Sequence, residues 1–262
     1  MSTSSMHVAK TGLNAQQTRV QIIANNLANV STTGFKRDRA NFETLLYQVR
    51  RVAGDQTTAA TNLTSSFSVG TGARIVNTQK FMSQGSITTT DNSLDLAIEG
   101  GGFFQVLLPD GRVGYTRNGS FATNAEGVLT TASGYVVQPE IAIPDGASQI
   151  NISSDGIISV LVAGGVGAEE VGQLTIADFT NKIGLQPVGE SFFVQTDTSG
   201  DPIEGNPNEQ GLGRIVQGAL EASNVNVVTE LVEMIETQRA YEVSSKSITS
   251  VDEMLRFISQ NL

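Results

Sequence analysis

Apolar residues near the N-terminus recur in alternating steps of three and four. Met6, Ala9, Leu13, Val20, Ile23, Leu27 and Val30 follow the rule, and Gln16 is the one polar member of the row. This spacing is the stripe of a helix that lies lengthwise on another helix. Over residues 5–33 it predicts a rod about 43 Å long at 1.5 Å per residue. The C-terminal end carries a second stripe. Val227, Met234, Tyr241, Ile248, Leu255 and Leu262 repeat every seven residues, and Leu231, Val251 and Ile258 fill part of the adjacent row. Asn226 is placed to cap this second helix, with Glu230 and Glu233 where a helix N-terminus favours negative charge.

The middle of the chain alternates with period two and is punctuated by helix breakers. All six prolines lie between Pro109 and Pro207, and 24 of the 27 glycines lie between Gly54 and Gly213. "GFFQVLLPDGRVGYTR" predicts two strands joined at a Pro-Asp-Gly turn. "ISSDGIISVLV" predicts another hairpin, and strand signals continue to about Gln195. "TDTSGDPIEGNPNEQGLG" then reads as a polar loop. Between the first helix and this region, "RANFETLLYQVRR" has a helical pattern and "VAGDQTTAATNLTSSFSVGTG" an extended one. The expected fold is α+β: long N- and C-terminal helices pairing as a coiled-coil-like layer, with a central glycine-rich all-β domain. The expected divisions are 1–36 with 217–262 for the helices, 37–83 for an extended or hairpin connection, and 84–216 for the β domain.

Charge sharpens this picture. Residues 1–51 hold seven Lys/Arg and two Asp/Glu, and the remainder holds 9 Lys/Arg against 24 Asp/Glu, within a net charge of −10. The basic residues cluster in "FKRDR" and "QVRR" without interleaved aromatics, which argues against nucleic acid and for complementarity with the acidic remainder. There is no cysteine and a single histidine, His7, so neither a Cys-based metal site nor a thiol nucleophile exists. No cofactor or metal site is expected, and no catalytic residue. Gly100–Gly102 precede a strand, which fits a tight strand entry and not a phosphate loop. Asp91, Asp95 and Glu99 are expected to be solvated acids. No run of eighteen apolar residues suggests membrane insertion, and residues 1–17 lack the apolar core of a cleaved secretion signal.

Narrow seams at both chain ends, separated by a whole β domain, fit either an ordinary helical hairpin or a protein that assembles with its own copies. The residues then become recognisable. "IANNLANVSTTGFKR" resembles the N-terminal signature of bacterial flagellar rod and hook axial proteins. "SNVNVVTELVEMIETQRAYEVSSKSITSVDEML" resembles their C-terminal signature, and "GGGFFQVLLPDGRVGYTRNGSFATNAEGVLTTASGYVVQP" their shared central β region. These motifs occur in family order across nearly the whole chain. "NFETLLYQ" and "GTGARIVNTQKFMSQGSITTTDNSLDLAIEGGGFFQV" bring it nearest to the distal-rod members.

The resemblance implies a structural subunit of a rigid, hollow, helical drive shaft that transmits torque to the hook and carries the axial export channel. The terminal helices are implied to form the inner tube, and residues near 47–83 to cross-brace neighbouring subunits. Implied partners are further copies of the chain, proximal rod proteins, the hook protein or hook-rod junction, the P-ring and L-ring as bushing, and the flagellar type III export apparatus. The implied location is the basal-body rod crossing the periplasm, reached without a cleaved signal. A proximal rod or hook subunit is the nearest alternative. A glycan-binding module or carboxylate-dependent hydrolase is the alternative of another class. Expected interface residues are Leu13, Val20, Ile23, Asn25, Asn26, Leu27, Asn29, Val30 and Phe35 on the N-terminal side. On the C-terminal side they are Leu231, Met234, Arg239, Tyr241, Ile248, Leu255 and Ile258. Asn25 and Asn26 are expected to hydrogen-bond across subunits, because amides donate and accept without charge. Asn29, with Gly34 as a candidate C′ residue, is placed to end the helix. Gly12 is either a tolerated surface glycine or a point of close helix approach.

Overall fold

The computed structural model describes residues 2–54, 56–58, 61–62, 64–144, 146–162 and 167–260. The chain forms two compact units. Unit 1 comprises residues 1–27, 38–79 and 226–262, and unit 2 comprises 28–37 and 80–225. The backbone therefore passes between the units four times. The architecture is α+β, with one long helix at each end of the chain and strands between.

In unit 1, helix α1 spans Ser2–Ala28 and helix α2 spans Val227–Gln260. Asn226 caps α2: its side-chain oxygen accepts from the Thr229 amide at 3.2 Å and its carbonyl from the Glu230 amide at 3.0 Å. Three contacts fix the direction of the pair. Asn26 bonds Glu230, Arg19 lies 3.6 Å from Glu233, and a Cβ on Gly12 would stand 3.8 Å from Ser244 Oγ. Partners climb α2 as α1 is descended, so the helices run antiparallel. Among the described side chains of α1, those buried are Ala15, Ile23 and Asn26. That face lies about one residue before the predicted row, whose members Leu13, Val20 and Leu27 are half-buried at its flank.

The remainder of unit 1 is a long hairpin. Asp38–Thr44 pairs with Ala73–Lys80, and Tyr47–Arg51 pairs antiparallel with Phe67–Gly70. Residues 39–51 thus form two strands, broken at Leu45 and Leu46, and not the helix their pattern suggests. Their Phe, Tyr, Val and Thr content suits a pleated surface, and the opposite strand supplies partners that no isolated helix would have. Asn41 donates to Asn77 Oδ1 at 2.8 Å, and Arg74 Nη2 lies 2.9 Å from Glu43 Oε2 across the ladder. Gly72 has φ +124° and its missing Cβ leaves room for Thr11 of α1, whose Oγ1 would otherwise be met at 2.1 Å.

Unit 2 is built on a seven-stranded sheet. Its order is Gln186–Gly189, Phe192–Val194, Val113–Thr116, Phe103–Leu107, Ile176–Asp178, Ile203–Gly205, with Val137–Gln138 also on Phe103–Leu107. Phe103–Leu107 and Val113–Thr116 form the predicted hairpin, and Ala147–Ile152 with Ile157–Val162 forms the second. Neighbouring side chains of a strand point to opposite faces, and here both faces are covered. Phe104 packs edge-on against Phe121, with centroids 5.1 Å apart, in a cluster with Leu96, Ile98 and Ile176. Phe103 points the other way, to Phe179 and Phe193 at 6.2 and 6.0 Å. Two buried faces explain why "FFQVLL" reads as a nearly continuous apolar run.

Strands extend beyond the expected limit at Gln195. Ile203–Gly205, Arg214–Gln217 and Ala219–Glu221 are short, and their partners Ile176–Asp178, Leu96–Glu99 and Ile87–Thr89 set them, not their own periodicity. Asp95 is also not solvated. It is buried, accepting from Thr90 Oγ1 at 2.8 Å and Asn92 Nδ2 at 3.0 Å. Asp91 and Glu99 are exposed, as expected.

Candidate functional site: the chain junction and the helical arm

The segments that leave unit 2 for the other unit are clipped together inside unit 2 by two side chains. Glu221, fully buried at the end of its strand, is the first. Its Oε1 accepts from Lys36 Nζ at 2.5 Å and from the Gly85 amide at 2.8 Å, and its Oε2 accepts from Arg117 Nη1 at 3.3 Å. Lys36 follows the end of α1, Gly85 follows the hairpin, and Glu221 precedes α2. One carboxylate therefore ties three crossings. Lys36 Nζ also donates to the Ser83 carbonyl at 2.9 Å. Arg117 Nη2 donates to the Gly100 carbonyl at 2.6 Å, and its guanidinium stacks 5.4 Å from the Phe103 ring. Burial lowers the Lys36 ammonium from its ordinary value, and Glu221 opposes that shift without cancelling it. Arg117 is lowered for the same reason.

Asn224 is the second clip. Its amide donates to the Phe81 carbonyl at 2.8 Å and the Ser83 carbonyl at 3.1 Å, and its oxygen accepts from the Arg37 amide at 2.7 Å. Gly34 completes the junction. Its φ is +67°, its amide donates to the Glu221 carbonyl at 2.8 Å, and a Cβ there would lie 2.5 Å from the Asn118 nitrogen. Gly34 is therefore a close-approach glycine and not the C′ residue of α1, which ends six residues earlier. Asn29 does serve the helix end: Thr32 donates to its carbonyl from the backbone and to its Oδ1 from the hydroxyl, both at 3.1 Å.

Within unit 1, Asn26 plays the corresponding part. Its Nδ2 donates to the Asp38 carbonyl at 2.9 Å and to Glu230 Oε2 at 3.1 Å, and its Oδ1 accepts from the Asp38 amide at 2.9 Å. The amide is used entirely inside the chain, while Asn25 is exposed and Asn29 half-buried.

The fully buried residues of α2 are polar. Glu230 and Thr237 are wholly buried, and Ser244 stands opposite Gly12. Aliphatic side chains are turned outward: Val228, Leu231, Val232 and Ile235 are 71, 43, 51 and 51% exposed. Their spacing of i, i+3, i+4 and i+7 makes one stripe. Met234, Ile248 and Leu255 are half-buried, Arg239 and Tyr241 are exposed, and the Ile258 side chain and Leu262 lie outside the described residues. Val30 and Phe35 belong to unit 2 and are half-buried, Phe35 beneath the Lys80 ammonium at 5.2 Å. The hairpin adds exposed Phe42, Tyr47, Val49 and Val76. Among the described residues no group of acids and histidines is placed to hold a metal ion, and no helix is long and apolar enough to cross a membrane.

Sequence reasoning missed Lys36, Arg117, Glu221 and Asn224, and placed Glu230 in the first turn of α2 without its bond to Asn26. A lone charge in an apolar stretch, as in "GALEAS", was the available signal for Glu221.

Three family models match the chain. "Flagella basal body rod protein" covers residues 6–36, "Flagellar hook protein FlgE/F/G D1 domain" 97–160, and "Flagellar basal body rod FlgEFG protein C-terminal" 216–261. The flagellar basal-body rod protein FlgG of Buchnera aphidicola subsp. Schizaphis graminum is 51% identical, with 98% of both chains covered. FlgG of Caulobacter vibrioides is 43% identical over 97% of this chain and 98% of its own. The rod protein FlgF of Caulobacter vibrioides is 32% identical over 96% of each.

Proposed function

The chain belongs to the family of flagellar basal-body rod proteins, which are structural and not enzymes, and we propose that it is a subunit of the distal part of the rod. Copies stack helically into a stiff hollow shaft. The arm of α1 and α2 forms the inner tube as a coiled-coil-like layer, residues 84–216 form the outer domain, and the hairpin braces neighbouring copies. Leu13, Val20, Leu27, Val30, Leu231, Met234, Tyr241, Ile248, Leu255 and Ile258 are completed by other copies, with Asn25 and Arg239 supplying polar contacts. The shaft joins proximal rod proteins to the hook, turns within the P- and L-ring bushing, and receives its subunits through the type III export apparatus. Greater identity to FlgG than to FlgF favours the distal rod over the proximal rod.

One observation carries this reading: α2 buries Glu230 and Thr237 against its own chain and leaves the stripe Val228, Leu231, Val232 and Ile235 exposed. Apolar surface left in water costs roughly 25 cal/mol per Å², so the stripe is paired with a partner in the working state. Negative-stain micrographs of the concentrated protein test the proposal. Straight hollow tubes support it. Protein that stays monomeric at every concentration, in a strain whose deletion leaves motility intact, overturns it.

A further inference from the structure

A cleft of about 780 Å³ opens in unit 1 where the two helices meet the hairpin. Val8 and Gly12 line it from α1, Phe67 and Val69 from the hairpin, and Val243 from α2; Arg50 is the one charged residue among its described walls. The cleft is an apolar concavity. The stripe Val228, Leu231, Val232 and Ile235 is an apolar convexity on the same unit, and Glu236 stands exposed beside its last residue.

We propose that the stripe of one copy seats in the cleft of a second copy, with Glu236 facing Arg50. This deepens the assembly reading above and rests on it. Two features favour a second copy as the occupant. The charge at the rim of the cleft is opposite to the charge at the edge of the stripe. The outer row of α1, by contrast, is His7, Lys10, Asn14, Gln17 and Gln21, all exposed and none aliphatic, so it offers the cleft no plug. The contact joins different surfaces of the two partners. A contact of that kind does not close on itself as a two-fold dimer does, but repeats and propagates as a ring or a helix. It also sets a stagger. Along α2 the stripe and the cleft wall are about a dozen residues apart, which places the joined copies roughly 20 Å out of step along the helix axis.

The natural absence of cysteine gives a direct test. Val232→Cys and Val69→Cys are made in separate chains, mixed, polymerised and oxidised. The expected product is a disulfide-linked dimer that forms in the mixture and in neither variant alone. In parallel, Arg50→Glu raises the critical concentration for polymerisation roughly fivefold, the effect of losing about 1 kcal/mol per contact, and Glu236→Arg in the same chain restores it. Polymers that form normally but give no mixed disulfide, with Arg50→Glu neutral, overturn this docking and leave the rod reading standing. A wild-type chain that never polymerises overturns the rod reading itself. Equal uptake of an apolar dye by monomer and polymer leaves the cleft open in the assembly and also overturns the docking.

Discussion

Replacing Glu221 with glutamine removes one charge and keeps the shape of the side chain. In the native fold that charge lies between Lys36 Nζ at 2.5 Å and Arg117 Nη1 at 3.3 Å, with all three side chains at most 4% exposed. Without it, two buried cations lose the carboxylate they are bonded to, and Arg117 keeps only the more distant Asp178 as a counter-charge. Removing one partner from a buried ionic group typically costs about 3–5 kcal/mol, far more than the net worth of the intact group. Unit 2 has on the order of 150 residues, for which each kcal/mol moves the midpoint by about 2–4 °C. Glu221→Gln is therefore expected to lower the thermal midpoint of the β unit by about 6–20 °C, read by calorimetry on dilute protein. Adding Lys36→Met removes one stranded cation and should recover part of the loss, a coupling of about 0.5–3 kcal/mol in a double-mutant cycle. The pH dependence has a definite sign. Because the folded state holds the Lys36 proton less tightly than the unfolded state, it binds fewer protons between the lowered and the ordinary lysine values. Stability contributed by this group therefore rises with pH through that interval, and more steeply in Glu221→Gln. A midpoint within about 2 °C of wild type, or a double variant no more stable than Glu221→Gln, would falsify the clip.

Four further outcomes follow from the structure. Asn26→Ala removes three hydrogen bonds, two to the Asp38 backbone and one to buried Glu230; it should cost about 1–3 kcal/mol. An unchanged urea midpoint for the helical signal refutes that. Gly12→Ala should stabilise the arm by up to about 1 kcal/mol, because its Cβ meets Ser244 at an ordinary contact distance and alanine favours helix. Gly34→Ala should do the reverse, costing about 1–3 kcal/mol in backbone strain alone, since both φ and the Asn118 backbone oppose a side chain; equal midpoints for the two variants contradict the assignment. Finally, α1 buries little apolar surface beyond Ala15 and Ile23, the fully buried residues of α2 are polar, and isolated helices gain little without apolar packing. Ellipticity at 222 nm should therefore grow on polymerisation, and a constant signal argues that the arm is fully formed beforehand.

Both helices were legible because a heptad row sustained over several turns suits neither the period of a strand nor the composition of a loop. The exact face was not. On α1, Asn26 and Ile23 are buried while Leu27 is only half-covered, since the amide finds three partners that hydropathy does not register. On α2 the apolar count was right, but which side its own chain covers depends on Asn26 and Glu230, 204 residues apart in sequence. The hairpin of residues 38–80 was partly hidden because "FETLLYQ" satisfies helical spacing, and only the opposite strand decides between the two. The junction was the least legible. Lys36, Arg117 and Glu221 carry no shared spacing, and their meaning arises where distant strands converge. The Phe103–Phe104 hairpin, by contrast, was specified locally by its turn and its apolar run.

That separation of 204 residues between Asn26 and Glu230 has a kinetic side. Contacts between distant parts of a chain form late, because loop closure must precede them. The β unit lies between the two halves of the arm and can close its hairpins first. Helix α2 is also synthesised after the whole of the β unit. A subunit of this design cannot present a finished arm until α2 exists, so its topology itself delays the moment at which it becomes competent to join another copy.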